Sequence, residues 1–356
     1  MNMLNNKNVL VTGHTGFKGS WLCAILNKLG ANVYGYALEP NDISLYTYAN
    51  IKNILCGEII SDILDINKLK TFIYDKGIDV IFHLAAQPLV RESYISSKYT
   101  FDVNTIGTAN VLECLKNYYK PCIIICITTD KVYANNECGI PFKEDDPLGG
   151  YDPYSASKAA AEIVIDSYRK SFFNPAEYNK THKIQLASVR AGNVIGGGDF
   201  ANDRILPDII KSIKNNTSVD IRNPQSIRPW QHVLEPLYGY IFLANKMLEY
   251  PTNSKWSSAW NFGPNEESFK SVRYIVDKTI ELFGYGSWNN ISSNTHLHES
   301  NVLKLDSSKA INKLNWHPKW NVDTALAKTV EIYKSILNNN ENIRDLMLKQ
   351  IYEYEK

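Results

Sequence analysis

The sequence predicts an α/β fold in which a doubly wound parallel sheet is joined to a smaller, interleaved C-terminal lobe. Short apolar runs alternate with helical segments along the first half of the chain, and this alternation is typical of βαβ units around a parallel sheet. The chain has 356 residues, of which 44% are hydrophobic. That length exceeds one small core and suits a large α/β unit with a second lobe.

The first strand is predicted at 8–12, where "NVLVT" stops at a glycine. The segment "GSWLCAILNKLG" follows with apolar residues at helical spacing and with Gly30 as its end. Further strands are predicted over residues 32–38, 80–86, 122–129 and 185–192, with another directly before Asp62 and a helix over 104–117.

The alternation of strands and helices stops after Gly192. The Gly-rich segment 192–200 and the segment 221–232 do not continue the pattern of a sheet. We therefore expect one domain over residues 1–190, to which residues 230–262 return. A smaller lobe over 191–339 would bind the substrate, and residues 340–356 would form a peripheral C-terminal helix.

Charge and cysteine content exclude several classes of protein. Lys and Arg number 38 against 37 Asp and Glu, so neither a nucleic-acid surface nor a membrane surface is predicted. Six cysteines, at positions 23, 56, 114, 122, 126 and 138, lack CxxC spacing, which favours reduced thiols over disulfides or metal ligands. The amino terminus lacks the apolar stretch of a signal peptide, and no apolar run approaches 18 residues. We expect a cytoplasmic protein without a metal site.

The motif "TGHTGFKG" places Gly13, Gly16 and Gly19 between the first predicted strand and the first helix. Gly13 suits a tight turn, Gly16 a close approach of backbone to pyrophosphate, and Gly19 close packing of the helix. The helix N-terminus would then face the phosphates. In this context the motif predicts a Rossmann-like, dinucleotide-binding domain, although the glycine spacing alone also fits an ordinary turn.

The adenosine end of this predicted site departs from the usual pattern. NAD-binding proteins usually carry an acid at the end of the second strand, but Ala37 occupies that place and the nearest acid is Glu39. No arginine that would favour NADP is nearby. We predict NAD, bound more loosely than where the acid is present. Asp62 suits either an adenine-side contact or the N-cap of a helix.

A tyrosine and a lysine in "YSASK", Tyr154 and Lys158, fall on one helical face. A cation at that distance can lower the pKa of a phenol. The YxxxK spacing occurs five times, at 48/52, 94/98, 154/158, 274/278 and 352/356. Only the pair at 154/158 begins a helix about 25 residues after the strand that ends in Thr128 and Thr129, so we interpret the other four as surface or core tyrosines.

Charged residues also follow the strand that ends at Thr129. Asp130 and Lys131 would lie at the edge of the sheet where open parallel sheets place their sites, although an exposed ion pair is the alternative. The loops over 190–199, 222–233 and 260–264 carry arginines, Trp230 and glycines. Arginines suit a diphosphate. Each alone fits a surface charge, but together, after a dinucleotide domain, they favour a nucleotide-sugar pocket.

Longer phrases distributed over residues 9–310 carry a family resemblance, among them "VTGHTGFKGSWL", "HLAAQPLVRESY", "TTDKVY", "GGYDPYSASKAAAE", "VRAGNVIGGGD", "IRNPQSIRPWQHVLEPL" and "LKLDSSKA". The sequence resembles the extended short-chain dehydrogenase/reductase family, and within it the CDP-D-glucose 4,6-dehydratases. Two segments depart from that family. The chain has "DKVYAN" where relatives often have "DKCYDN", and "NECGIPFKEDDPLGG" replaces an insert that contains tryptophan.

The resemblance implies a role for each matching residue. It implies that Thr129, Tyr154 and Lys158 form a catalytic set and that Asp130 and Lys131 carry out the dehydration. The cofactor-binding residues that it implies are Gly13, His14, Thr15, Gly16, Phe17, Lys18, Gly19, Asp62, Ile63, Leu84, Ala85, Ala86, Asn104, Thr128, Tyr154 and Lys158. The substrate-binding residues that it implies are Gln87, Arg91, Asn193, Arg204, Arg222, Arg228 and His232.

The implied reaction converts a nucleotide-linked glucose to its 4-keto-6-deoxy derivative and water. Oxidation at C4 by NAD makes the C5 proton acidic, elimination across C5 and C6 removes water, and the hydride returns to C6. Asp130 is the expected acid for the C6 hydroxyl. Lys131 is either the base that takes the C5 proton or a cation that stabilises the enolate.

Two other functions fit parts of the sequence. A 4-epimerase on the same frame would need neither a C5 base nor a C6 acid, so the Asp130–Lys131 pair disfavours it. A non-catalytic protein that senses dinucleotides would be expected to lack Tyr154 or Lys158, and both are present. Family members pair through helices around "VNTIGT" and "YSASK", so the resemblance implies at least a homodimer.

Overall fold

The computed structural model describes residues 2–137, 139–292, 303–339 and 342–356. Within these ranges the strands are β1 (Asn8–Thr12), β2 (Asn32–Ala37), β3 (Gly57–Ile60), β4 (Val80–His83), β5 (Cys122–Ile127), β6 (Ile184–Ala191), β7 (Val194–Ile195), β8 (Val219–Ile221), β9 (Ile227–Pro229), β10 (Gln231–His232), β11 (Ala259–Phe262), β12 (Phe269–Ser271) and β13 (Trp288–Asn290).

The α-helices of the described residues are α1 (Phe17–Lys28), α2 (Leu45–Tyr48), α3 (Ile66–Lys76), α4 (Val90–Ile95), α5 (Ser97–Phe101), α6 (Gly107–Leu115), α7 (Pro153–Ser171), α8 (Ile205–Lys214), α9 (Leu234–Glu249), α10 (Val272–Phe283), α11 (Ser308–Leu314), α12 (Val322–Asn338) and α13 (Ile343–Glu355). A π-helical turn at Asp102–Ile106 leads into α6, so the helix predicted over 104–117 is shorter and begins irregularly. None of the described helices is long and apolar enough to cross a membrane.

Seven strands form one parallel sheet in the order β3-β2-β1-β4-β5-β6-β11. This arrangement confirms the predicted α/β fold with a Rossmann-like, doubly wound sheet. Every residue of β5 and β6 is buried, as expected for strands that are covered by helices on both faces. The order of strands reverses between β1 and β4, and ligands of such sheets bind at the carboxyl ends beside that reversal.

Two strands end at least two residues earlier than the apolar runs suggested. The strand predicted over 80–86 ends at His83, and the one predicted over 122–129 ends at Ile127. The residues beyond each end leave the sheet at its carboxyl edge. There the Thr129 hydroxyl accepts a hydrogen bond from the Lys131 backbone amide at 3.4 Å and caps a short 3₁₀ turn at Asp130–Val132. The early ends place these segments at the site described below.

The chain after β6 alternates between the sheet and a smaller core. Strand β11 returns to the edge of the sheet beside β6, whereas α8, α10 and α12 enclose an apolar cluster that includes Ile209, Ile275 and Leu326. Helix α13 follows this lobe and buries Leu346 and Ile351 in the core that covers α1 and α9. The C-terminal helix therefore contributes to the main core.

Free thiols are found at five of the predicted positions. Cys23, Cys114, Cys122 and Cys126 are buried, and Cys56 is exposed. Cys138 lies outside the described residues.

A buried ion pair joins helix α7 to strand β6. The Glu162 carboxylate accepts hydrogen bonds from Arg190 Nε at 3.0 Å and Nη2 at 2.9 Å, and both side chains are at most 4% exposed. The same carboxylate accepts from Thr128 at 2.5 Å and Ser188 at 2.8 Å, while Arg190 also donates to the Tyr133 hydroxyl at 2.8 Å. These bonds fix the position of α7 on the carboxyl ends of β5 and β6.

Removal of one partner of this pair should destabilise the fold strongly. Glu162→Gln leaves Arg190 buried without its counter-ion, which typically costs about 3–5 kcal/mol, and urea unfolding at pH 7 measures the loss. Burial opposes ionisation of Glu162, but Arg190 and the hydroxyl donors outweigh burial and lower its pKa. The ionised carboxylate therefore stabilises above the unfolded pKa of about 4.3, and that contribution disappears as pH falls through the folded pKa.

Two further variants make this measurement decisive. Lys170→Gln breaks an exposed ion pair with Asp166 on the same helix and should leave the unfolding midpoint unchanged, because exposed pairs contribute little. The double replacement Glu162→Met with Arg190→Met should recover much of the loss, since no unpaired charge remains. A Glu162→Gln protein as stable as the unmodified chain at pH 7 would contradict the role given to this pair.

Candidate active site

Two cavities meet at the carboxyl edge of the sheet. The turn cavity, of about 340 Å³, lies between the β1–α1 turn, the ends of β2, β4 and β5, and the start of α7. The lobe cavity, of about 300 Å³, lies between the sheet edge and the smaller lobe. The residues that line both cavities are Pro88, Thr129, Tyr154, Gly192, Val194 and Arg204. A ligand in one cavity can therefore meet a ligand in the other beside Tyr154.

The glycine turn has the geometry of a phosphate cradle. Gly13 has φ of +73°, and a Cβ there would come within 2.8 Å of the Ala85 amide nitrogen. A Cβ on Gly19 would lie 2.2 Å from the Gly13 carbonyl oxygen, so both positions require glycine. A Cβ on Gly16 would meet only the Gly13 oxygen, at 3.4 Å, which leaves its cavity face open. The turn and the N-terminus of α1 thus fit the pyrophosphate of a dinucleotide.

Most of the residues predicted to bind the cofactor line the turn cavity. They are Gly13, Thr15, Gly16, Phe17, Lys18, Gly19, Asp62, Ile63, Leu84, Ala85, Ala86, Thr128, Tyr154 and Lys158. The sequence interpretation missed Tyr36, Leu38, Ser61, Tyr99 and Val103, which also line it. Tyr36 and Leu38 flank Ala37, the position at which the sequence analysis looked for an acid. Ser61 and Tyr99 carry uncharged hydroxyl groups, which no sequence motif marks.

Asp62 lies at the cavity but does not cap a helix. Its Oδ1 accepts a hydrogen bond from the Leu64 amide at 2.9 Å, which stabilises the turn after β3. The N-cap of α3 is Asp65, whose side chain accepts from the Lys68 amide at 3.1 Å. The N-cap alternative for Asp62 is therefore wrong, and its place in the cavity lining is compatible with a contact to a ligand.

Three predicted residues support the walls from behind and do not line either cavity. The His14 imidazole is buried and bonds through Nε2 to Glu58 at 2.8 Å, while burial lowers its pKa. Asn104 accepts from the Gln87 amide at 2.9 Å and donates to Ser157 at 2.9 Å, so it ties the loop after β4 to α7. The Gln87 side chain donates to Thr100 at 2.8 Å.

Lys18 brings a buried amine to the turn cavity. Its Nζ lies 3.5 Å from the Tyr240 hydroxyl. Burial lowers the pKa of Lys18 to about 7, and the positive charges of Arg204 and Lys158 act in the same direction. An anionic ligand in the turn cavity would favour the charged form.

Tyr154 and Lys158 lie in the first turns of α7, as predicted. Burial raises the pKa of Tyr154 to about 12, and a hydrogen bond with Thr129 and the charge of Arg204 oppose that increase. Lys158 Nζ donates to the Ile127 carbonyl oxygen at 3.2 Å. Burial lowers the pKa of Lys158 to about 8. The helix thus brings a phenol and an ammonium group into one dry space beside the end of β5.

Asp130 is a buried carboxyl group at the same place. Its Oδ1 accepts from the Thr129 hydroxyl at 3.1 Å, and its Oδ2 has no hydrogen-bond partner among the described residues. Burial raises the pKa of Asp130 to about 6, although Lys131 and Arg228 favour its ionised form. Lys131 follows it in the lining of the lobe cavity. A carboxyl group with this pKa can donate a proton near neutral pH.

Arginines line the lobe cavity, and two aspartates pair with three of them. Of the predicted substrate-binding residues, Arg91, Asn193, Arg204, Arg222 and Arg228 contribute to this lining. Asp203 pairs with Arg91 at 2.9 Å and with Arg222 at 3.4 Å. Asp199 pairs with Arg204 at 2.8 Å. The sequence interpretation missed both aspartates, although Asp199 lies in the Gly-rich segment 192–200 and Asp203 directly precedes Arg204.

His232 occupies a different place from the one its loop suggested. Its ring is fully buried between Trp21 and Trp320, with centroid distances of 5.8 and 4.9 Å. Burial lowers the pKa of His232 to about 3, so the ring is neutral. His232 therefore supports the contact between the sheet and the lobe and does not line either cavity.

Comparison with known proteins gives a consistent set of relatives. The sequence matches the GDP-mannose 4,6 dehydratase family over residues 10–329. It is 47% identical over 341 residues to the CDP-glucose 4,6-dehydratase of Salmonella typhimurium, covering 96% of this chain and 94% of that protein. It is 26% identical to the dTDP-D-glucose 4,6-dehydratase of Homo sapiens, covering 95% of this chain and 93% of that protein.

Solved structures share the fold at lower identity. The dTDP-glucose 4,6-dehydratase of Bacillus anthracis in complex with NAD is 21% identical with a TM-score of 0.75, covering 96% of this chain and 99% of that one. A UDP-glucuronic acid 4-epimerase from Bacillus cereus is 24% identical with a TM-score of 0.77, covering 92% and 99%. Because the family match extends over most of the sequence, the chain belongs to the GDP-mannose 4,6 dehydratase family.

Proposed function

We propose that this protein is an NAD-dependent nucleotide-sugar 4,6-dehydratase that converts CDP-D-glucose to CDP-4-keto-6-deoxy-D-glucose and water. One observation carries the proposal. Thr129 and Tyr154 line both cavities, and beside them Asp130 is buried with a raised pKa and an unpartnered oxygen. A hexose there has a base for O4 and an acid for the C6 hydroxyl within one space. The relative with 47% identity supports CDP as the nucleotide.

The turn cavity suits NAD better than NADP. The cations in its described lining are Lys18, Lys158 and Arg204, and all three lie toward Tyr154. The end near Ala37 presents Leu38, which cannot pair with a 2′-phosphate. The glycine turn and the N-terminus of α1 would hold NAD, which would supply a hydride acceptor for C4 of the hexose and a hydride donor for C6.

Tyr154 would act as the base for the C4 hydroxyl. Its buried phenol has a high pKa and needs nearby positive charge to ionise. Arg204 lowers that pKa, and Lys158 lies one turn further along α7. Thr129 would orient O4, because its hydroxyl contacts both Tyr154 and Asp130.

Asp130 and Lys131 would carry out the elimination. The carboxyl group of Asp130 protonates the departing C6 hydroxyl, and the amine of Lys131 takes the C5 proton, so that water leaves as the C5–C6 double bond forms. A 4-epimerase would need neither group. The Bacillus cereus 4-epimerase has the same fold, but the presence of Asp130 and Lys131 favours dehydration over epimerisation.

The organisation of the chain follows from the same proposal. Residues 1–190, with 230–262, would hold the cofactor, and residues 191–339 would hold most of the nucleotide sugar.

Two apolar side chains, Ile106 and Ile163, are 51% and 60% exposed. They support a homodimer formed through the helices that carry them. Replacement of Ile163 by glutamate should convert this dimer to monomers, which sedimentation equilibrium would detect.

Buried free thiols favour a cytoplasmic setting.

The function is tested by supplying CDP-, dTDP-, GDP- and UDP-linked glucose or mannose with NAD. CDP-glucose should lose water, which mass spectrometry detects as the dehydrated product, and the other sugars should react at least tenfold more slowly. Tyr154→Phe is the matched control, because it should bind CDP-glucose but turn over at less than a tenth of the rate, a loss above about 1.4 kcal/mol. Epimerised glucose without loss of water would refute the proposal.

Isotope exchange separates the two roles of Lys131. Lys131→Met removes the amine but keeps much of the side-chain volume. If Lys131 is the C5 base, the variant should oxidise C4, accumulate NADH and a 4-keto hexose, and incorporate no deuterium at C5 in heavy water. Normal incorporation with intact dehydration would show that another group takes the proton and that the lysine stabilises charge.

A further inference from the structure

The lobe cavity has two chemically distinct ends. Thr129, Asp130 and Tyr154 form the reaction end. The first turn of α8, which contains Asp208, and the end of β8, which Arg222 follows, form the far end. Electrostatic neighbours separate the ends in the same way, because Arg204 acts on Tyr154 whereas the charges that act on Asp208 are Asp203, Arg222 and Lys211.

A nucleotide sugar can occupy this cavity in one direction. The hexose has to reach Tyr154 and Asp130 for the proposed reaction. The diphosphate then falls among the arginines that line the cavity, since guanidinium groups suit phosphate oxygens. The nucleoside extends to the far end, between α8 and β8. The base is therefore expected near Asp208.

Asp208 differs from the other carboxylates of the cavity that lie away from the reaction end. Asp199 and Asp203 are each paired with arginines, and Asp220 is exposed and accepts a hydrogen bond from Asn289. Asp208 forms no ion pair within 4.0 Å in the part of the chain that the structure describes. Burial and the charge of Asp203 raise its pKa to about 6, which still leaves the group mostly ionised at pH 7. Its carboxylate accepts a hydrogen bond from the Asp203 backbone amide and keeps further lone pairs that can accept from a ligand in the cavity that it lines.

The bases differ at the position that such an acceptor would read. Cytosine carries an amine at C4, which donates hydrogen bonds, whereas uracil and thymine carry a carbonyl oxygen, which accepts them. A carboxylate would bind the amine and repel the carbonyl oxygen. Discrimination of this kind is large when a wrong ligand leaves a polar group of the site unpaired.

We propose that Asp208 determines the nucleotide specificity of the site by accepting a hydrogen bond from the C4 amine of cytosine. This inference rests on the proposed function, because it assumes a nucleotide sugar that reacts at Tyr154. Asp208 also lies in the first turn of α8, where an acid stabilises a helix. A purely structural role of that kind would not affect the choice between bases.

The test compares CDP-glucose with UDP-glucose in one variant at a time. Asp208→Asn keeps the shape of the side chain, and its amide can donate to the C4 oxygen of uracil. The ratio of kcat/KM for CDP-glucose to that for UDP-glucose should fall at least tenfold, and the ratio of Kd values for CDP and UDP should shift in the same direction. Because each ratio is internal to one protein preparation, partial unfolding of the variant cancels.

Asp277→Asn is the matched control, since Asp277 is an exposed aspartate on α10 of the same lobe and lies outside the cavity lining. Its ratios should stay within twofold of those of the unmodified protein. If the unmodified protein dehydrates CDP-glucose but the ratios are unchanged in Asp208→Asn, the role of Asp208 is overturned and the proposed function stands. An unmodified protein that fails to dehydrate CDP-glucose, or that prefers UDP-glucose, would overturn the proposed function and this inference together.

Discussion

The buried ion pair between Glu162 and Arg190 fixes the geometry on which the rest of the site depends. Tyr154, Lys158 and Glu162 follow one another at intervals of four along α7, so they share one face of the helix. Because Arg190 anchors the third member to β6, the first two are held at the carboxyl end of β5. The same carboxylate binds Thr128, which links the exit of that strand to the helix. A structural pair thus sets the position of the groups that we propose to react.

Burial is the common cause of the pKa shifts at the site. It raises the pKa of Asp130 and Tyr154 and lowers those of Lys18 and Lys158. Each shift moves a group toward its neutral form, since a dry environment disfavours charge of either sign. For Asp130, Lys18 and Lys158 the shift brings the pKa to about 6, about 7 and about 8, close to neutral pH, which is the condition that general acid–base catalysis favours.

Local sequence patterns predicted the strands, helices and turns that form the site. Contacts between residues distant in sequence determined where several of its side chains lie. The glycine turn and the helix that begins near Tyr154 were predictable because spacing along the chain encodes them. His14 and His232 shared motifs with cavity residues, yet their rings point to partners 44 residues away and to Trp21 and Trp320. Neighbours in sequence cannot reveal such contacts. The pairing of Asp203 with two arginines from different elements was unpredictable for the same reason.

Gly192 adds a steric condition to the chemistry of Asp130. A Cβ at position 192 would lie 2.8 Å from Asp130 Oδ2 and equally close to Pro229 Cγ, nearer than real Cβ atoms approach. The position of the Asp130 carboxyl group therefore depends on the absence of a side chain at residue 192. An alanine at position 192 would therefore disturb the Asp130 carboxyl group, although Asp130 itself would be unchanged. Any side chain at position 192 would force Asp130 Oδ2 or the Pro229 ring to move, so this glycine is a second position from which the proposed acid can be disturbed.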